Sequence, residues 1–199
     1  MYEYEEELIK HGIKYIGGTD EAGRGPLIGP VVAACVVLPL NYQNEEINDS
    51  KKLTEKKREK LYDIIMNDAI SVGIGIVDAE TIDEINIYEA SRLAMINAYK
   101  EANKKVKIEH LLTDAMEINL DIPVTKIIKG DQKSITIAAA SIIAKVTRDR
   151  MLIELDKKYP MYGFKKHKGY PTKAHIEAIH KYGLIEGYRK TYGPVKEML

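Results

Sequence analysis

Apolar positions come in two rhythms along this chain. Short closed runs dominate where glycine and proline punctuate, and a three-to-four-residue spacing takes over elsewhere. Val31 to Leu38 is a β-branched run bounded by Pro30 and Pro39. Tyr15 to Thr19 is a shorter run before it, and both read as strands. Between them lies DEAGRGP, a turn carrying Asp20, Glu21 and Arg24. Ile70 to Val77 alternates apolar residues with glycine and predicts a third strand. Ile108 to Thr113 and Val124 to Lys129 predict two more.

Helical spacing fills the gaps. Thr54 is the predicted N-cap of a helix whose Leu61, Ile64 and Ile65 share one face. Asp78 to Ile85 reads as a short helix. Ile87 to Lys105 reads as a longer one ending near Asn103, with Ala90, Leu93, Ala94 and Asn97 on one face. One long helix is predicted from about Ser134 to Lys158, stopped by Pro160. Ala138, Ala139, Ala140 and Ser141 keep it slim enough to lie close on a sheet. A last helix runs from about Thr172 to Tyr182 and stops at Gly183. Residues 1–14 read as a short helix or tail without a core of its own. Strands alternating with helices predict an α/β fold.

The chain has 199 residues, 45% hydrophobic and 30% charged, in keeping with one globular domain. There is no apolar run of membrane-spanning length and no signal-peptide layout at the N-terminus, so a cytoplasmic location is expected. Cys35, the sole cysteine, sits in an apolar run and leaves no disulfide framework. Net charge is zero, but residues 1–99 hold ten Lys/Arg and eighteen Asp/Glu, while residues 100–199 hold twenty and twelve. An acidic half can hold metal while a basic half faces an anionic polymer. A mixed, solvated surface has the same composition.

The acids sharpen that choice. Asp20, Glu21, Asp114 and Asp131 each stand at or just beyond the end of an apolar strand, where functional groups collect in α/β sheets. Adjacent carboxylates raise each other's pKa unless a cation joins them, and oxygen ligands suit Mg²⁺ or Mn²⁺. Asp20 and Glu21 reach one target only if the backbone bends there, which Ala22, Gly23 and Gly25 make inexpensive. The alternative is a solvated turn in which Asp20 caps backbone and Arg24 pairs with Glu21. Glycines flanking Arg24 let a phosphate or sugar approach the backbone. Ser50, Lys51 and Lys52 precede a helix N-terminus, where phosphate is favoured. Lys145, Arg148 and Arg150 face either substrate or water, and Asp149 pairs with Arg148 or a lysine. In the last forty residues, basic residues interleave with aromatics, which suits nucleic acid. The histidines lack zinc spacing.

Four segments carry a family resemblance: YIGGTDEAGRGPLIGPVV, DSKKL, KGDQKSITIAAASIIAKVTRDR and HKGYPTKAH. Over nearly its whole length the chain resembles ribonuclease HII, the type 2 ribonucleases H. The resemblance implies a ribonuclease H-like fold, a mixed five-stranded sheet flanked by helices, with a C-terminal helical, substrate-contacting part over about residues 160–199 of a single domain. It implies four metal-binding acids, Asp20, Glu21, Asp114 and Asp131, with Asp149 as competitor for the last. Many relatives have glycine after the third acid, where this chain has Ala115. It further implies cleavage of RNA paired with or joined to DNA by two Mg²⁺ or Mn²⁺ ions, leaving 5′-phosphate and 3′-hydroxyl ends. By the same analogy the Gly23-Arg24-Gly25 backbone and Tyr170 recognise an RNA-to-DNA junction, and Ser50, Lys51, Lys145 and Arg148 hold phosphates. The expected partners are RNA/DNA hybrid and ribonucleotide-containing duplex, the expected state a monomer. Two rivals remain. Ribonuclease HIII has similar acids but normally a separate N-terminal domain, for which about nineteen residues before Asp20 leave no room. A non-catalytic duplex-binding module would make metal irrelevant.

Overall fold

A computed structural model describes all residues, 1–199. Helix α1 (Glu3–Lys10) leads into strand β1 (Ile16–Ala22), and β2 (Val31–Val37) returns beside it. Helix α2 (Glu55–Asp68), strand β3 (Ser71–Val77), and helices α3 (Ala79–Ile85) and α4 (Ile87–Asn103) follow. Strands β4 (His110–Asp114) and β5 (Val124–Ile127) precede the long α5 (Ile135–Lys158), then α6 (Phe164–His167) and α7 (Lys173–Tyr182). Each strand and main helix predicted from the pattern is present, with ends shifted by up to two residues except in β1, which runs three residues further, through Asp20 and Glu21 to Ala22.

The sheet runs β3-β2-β1-β4-β5. Strands β1, β2 and β3 pair antiparallel, whereas β4 lies parallel to both β1 and β5. This is the mixed five-stranded sheet that the resemblance implies. Every residue of β2 is buried, because helices cover both faces of this inner strand. Val31, Ala33, Cys35 and Val37 pack with Ala90, Ala94 and Ala98 of α4. Ala34 and Val36 pack with Leu61 of α2 and with Ala138, Ala139 and Ile142 of α5. The alternation is the two-residue period of a strand read by two helical layers.

Helix α5 settles directly on β1. A side-chain carbon at Gly18 would stand 2.5 Å from the Thr136 carbonyl carbon and 2.6 Å from the Ile137 nitrogen, so only glycine fits. That contact brings the N-terminus of α5, and the turn before it, beside the end of β1. The N-terminal segment is docked rather than loose. Glu5 is buried and accepts from Ser134 Oγ at 2.6 Å and from Thr136 N and Oγ1 at 3.1 and 2.7 Å. A carboxylate at the start of α5 satisfies helix N–H groups and complements the dipole. Leu8, Ile9 and Ile13 lie against Ile16, Leu112, Ile127 and Ile137, so the segment borrows the core of the sheet.

The C-terminal part has a smaller core of its own, built from Tyr162, Phe164, Ala178, Ile179, Tyr188 and Val195. Leu27 and Ile28, from the β1–β2 connection, and Leu152 of α5 complete it. This packing ties the last forty residues to the loop that follows the first two acids. No helix is long and apolar enough to cross a membrane.

Candidate metal centre and nucleic-acid face

Parallel pairing of β1 with β4 matches Thr19 to Thr113, so Asp20 and Asp114 are the next residues on neighbouring strands. Asp114 pairs with Ile127 of β5, and the chain then turns through Lys129, at φ +56°, into a short 3₁₀ turn, Gly130–Gln132. Asp114 Oδ1 accepts from the Gly130 N–H at 2.6 Å and fixes that turn, which carries Asp131. Carboxylate oxygens of Asp20, Asp114 and Asp131 lie within 4.8 Å of one another. Ala115 follows at φ +52°, a left-handed conformation that glycine adopts without strain and alanine does not.

Glu21 stands beside these three rather than among them. The expected bend at Asp20-Glu21 is absent: β1 keeps its ladder to β2 through Ala22, and the chain turns only at Gly23, φ +95°. Glu21 therefore follows the strand's alternation, with its Oε1 3.5 Å from Arg24 Nη1. Its Oε2 is buried with no hydrogen-bond partner. The Arg24–Glu21 pair is the one imagined for a solvated turn, but Asp20 is only 5% exposed, so the turn is not solvated.

Electrostatics mark the cluster as short of positive charge. Burial, the charges of Glu21 and Asp114, and a hydrogen bond that the protonated Asp20 carboxyl donates to the Glu21 carboxylate push Asp20 well above its ordinary range. Burial and then Asp114 and Asp49 raise Asp131 to about 6, against the pull of Lys51. Burial works to lower the Lys51 ammonium, but Asp131, Asp20, Asp49 and Asp114 outweigh it and hold the lysine above its usual value. Three clustered carboxylates, and a fourth with an orphaned oxygen, fit a hard divalent cation with oxygen preference.

Asp149 is not part of this group. It pairs with Lys145 Nζ at 2.9 Å and lies 3.9 Å from Arg58 Nη2. Asp49 is buried beside the group, and the sequence reading passed over it. It caps the Ser50–Lys52 turn by accepting from Lys51 N at 3.0 Å. Its place next to Ser50 and Lys51 in DSKKL was the available signal.

In the loop after β1, Gly25 meets Tyr170 of a second loop: a side-chain carbon on Gly25 would stand 3.3 Å from the Tyr170 ring. Tyr170 is 37% exposed, and Lys145 Nζ sits 5.5 Å from its ring centre. Ser50 is buried, its N–H donating to Ser141 Oγ at 3.3 Å. Lys51 is exposed toward the acids. Arg148 does not belong to this face. It is fully buried, with Nε, Nη1 and Nη2 each donating to a carbonyl, of Pro30, Lys168 and Ile28, at 2.9 to 3.0 Å, so it is out of reach of a phosphate at the surface. Arg150 is on the solvent side of α5 with Glu59 and Tyr62.

Two buried imidazoles support the Tyr170 loop from beneath. His167 and His175 stack with ring centres 4.1 Å apart. The Gly169 N–H donates to His167 Nδ1, so His167 Nε2 carries the proton given to Tyr162 O. His175 bonds the Tyr170 carbonyl through Nδ1 at 2.9 Å and the Tyr188 hydroxyl through Nε2 at 2.8 Å. Both roles suit neutral rings. Burial pushes His175 down to about 4, and it lowers His167 as well.

The family model described as Ribonuclease HII matches residues 17–192. Ribonuclease HII of Bacillus cytotoxicus is 57% identical over all 199 residues, which span 76% of that protein. Among solved structures, ribonuclease H2 from Pyrococcus horikoshii OT3 superposes with a TM-score of 0.77 at 28% identity, covering 92% of this chain and 96% of the other. Bst-RNase HIII in complex with Mn²⁺ superposes at 0.70 with 17% identity, over 96% and 71% of the two chains, a likeness of fold alone.

Proposed function

The chain belongs to the ribonuclease HII family and is a ribonuclease H; from that premise we propose that it cuts the RNA strand of RNA/DNA hybrids and the 5′ side of single ribonucleotides embedded in duplex DNA, leaving 5′-phosphate and 3′-hydroxyl ends. The observation that carries the reading is the meeting of three carboxylates within 4.8 Å, with Glu21, next to Asp20, paired to Arg24 of the loop whose Gly25 meets Tyr170. In this reading a site for cations adjoins a site for a sugar.

In this reading Asp20, Glu21, Asp114 and Asp131 hold Mg²⁺ or Mn²⁺, two ions in the active complex. When bound, these ions supply Lewis acidity and an acidified water. The acids serve as ligands, and the raised pKa values of Asp20 and Asp131 express burial and a mutual repulsion that a cation relieves. Lys51 adds fixed positive charge beside them for a phosphate. The Gly23-Arg24-Gly25 backbone reads the 2′-hydroxyl, the one group that distinguishes RNA from DNA at a nucleotide. Tyr170 packs on the sugar of the following deoxynucleotide, and Lys145 and Ser50 steady the strand.

The test is cleavage of a duplex containing one ribonucleotide, with Mg²⁺, Mn²⁺ or chelator. Cutting on the 5′ side, dependent on metal, is the expected result. Poor cutting of this duplex beside efficient cutting of a longer hybrid would favour a ribonuclease HIII-like preference, and binding without turnover would favour a non-catalytic module. Tyr170→Ala should lose activity on the single-ribonucleotide duplex selectively; equal loss on an all-RNA/DNA hybrid would remove the tyrosine from junction recognition.

A further inference from the structure

Behind the sugar-facing loop lies a guanidinium that sequence reading did not single out. Arg189 is fully buried. Its Nη2 donates to the Gly23 carbonyl at 2.7 Å, its Nη1 to the Arg24 carbonyl at 2.9 Å, and its Nε to the Gly29 carbonyl at 3.0 Å. The Tyr192 hydroxyl also donates to the Arg24 carbonyl, at 2.6 Å, and accepts from Arg189 Nη1 at 3.2 Å. Arg148 holds the far end of the same loop through Ile28 and Pro30.

Peptide geometry gives these bonds a consequence. A trans peptide points its N–H opposite to its C=O. The only cis bond in the chain is Gly193–Pro194. With the Gly23 and Arg24 carbonyls both drawn to one guanidinium, the N–H groups of Arg24 and Gly25 must point away from it. Neither N–H has a partner within the protein. They form a pair of adjacent free donors, and Gly25 is the residue against which Tyr170 stands. Two successive N–H groups held in parallel make an anion- or oxygen-binding concavity.

We propose that Arg189, seated by Tyr192, is a positioning residue for ribonucleotide recognition: it aims the Arg24 and Gly25 N–H groups at the sugar oxygen that separates ribose from deoxyribose. The inference rests on the reading of Gly23-Arg24-Gly25 given above. A planar fork spans three carbonyls at fixed angles; a lysine, as a point charge, does not. Replacing Arg189 by lysine keeps the buried charge but frees the peptide planes to rotate.

The experiment measures dissociation constants for a duplex with one ribonucleotide and for the same duplex in all-DNA form, with Ca²⁺ in place of Mg²⁺. Arg189→Lys, Tyr192→Phe and Leu61→Ala are compared with wild type, with melting curves for each. Leu61 is buried against α5 in the core on the other side of the sheet and serves as a destabilised control. Arg189→Lys should lose about tenfold of the wild-type preference for the ribonucleotide duplex, the worth of one or two aimed hydrogen bonds. Its affinity for all-DNA duplex should stay unchanged. Tyr192→Phe should lose a smaller part of the preference at nearly wild-type melting temperature, and it decides the matter alone if Arg189→Lys does not fold. Leu61→Ala should melt lower and keep the preference. Undiminished preference in Tyr192→Phe and Arg189→Lys, parallel loss on both duplexes, or equal loss of preference in Leu61→Ala would overturn the proposal. A wild-type protein without any preference would instead refute the substrate reading on which it stands.

Discussion

Removing one acid should stabilise the metal-free protein. The perturbation is Asp114→Asn. Asparagine keeps an oxygen to accept from the Gly130 N–H, so the turn carrying Asp131 stays fixed. It deletes one negative charge from a group of carboxylates within 4.8 Å. Asp131 is raised from 3.8 to about 6 by burial first and Asp114 second. Two pKa units correspond to roughly 3 kcal/mol above pH 6, and water at the open side of the site screens part of it. Because Asp114 is one of several causes, its removal should return about 1 kcal/mol, or about 2–4 °C in a domain of this size. The sign follows from a raised carboxylate: the folded state holds its proton more tightly than the unfolded chain. The penalty is therefore absent below about pH 4, grows as pH rises toward 6, and is complete above it. The assay is thermal melting in chelator at pH 7.5 and at pH 4. The variant should melt higher at pH 7.5 and level with wild type at pH 4. In saturating Mg²⁺ or Mn²⁺ the order should reverse, because only wild type gains full binding energy. A variant that melts lower in chelator at pH 7.5 would refute the reasoning, since the acids would then be supporting the fold rather than straining it.

Two further outcomes follow from the packing. Gly18→Ala should push the start of α5 off β1, at a cost of about 1–3 kcal/mol, and should shrink the rise in melting temperature produced by divalent cations; an unchanged melt would deny the close contact. The stacked His167 and His175 stay neutral when folded but take protons at about pH 6.5 when unfolded. Their contribution is thus complete above pH 6.5 and is lost as pH falls toward 4. Melting followed from pH 7.5 to 5 should show that loss, and His175→Gln should flatten it; an equally steep profile in the variant would place the titration elsewhere.

Much of this arrangement is legible in the linear chain because it depends on local rules. The period of apolar residues locates each strand and helix; Thr54 caps α2 as expected, and Ser134 and Thr172, read as the first residues of their helices, are the caps of α5 and α7. Strand ends carrying acids were visible for the same reason, since a strand must stop before a turn: Asp114 ends β4 and Asp131 lies in the turn after β5, whereas Asp20 stands two residues before the end of β1. Other assignments failed because charge alone does not tell a buried side chain from a solvated one. Arg148 lies on a helix among other charged residues and reads as facing substrate or water, with a phosphate contact implied only by the family resemblance, yet it binds three carbonyls in the interior. Arg189 reads as one more base in a basic tail, yet it sets the orientation of a loop 165 residues away. Glu5 reads as one acid of four, yet it caps a helix 131 residues later. Interior or solvent is decided by which distant segment arrives to offer carbonyls or N–H groups, and that is a property of the packed chain. The same holds for the meeting of the acids. Periodicity places each at a strand end, but only the parallel pairing of β1 with β4 and the contact of α5 on Gly18 bring those ends together.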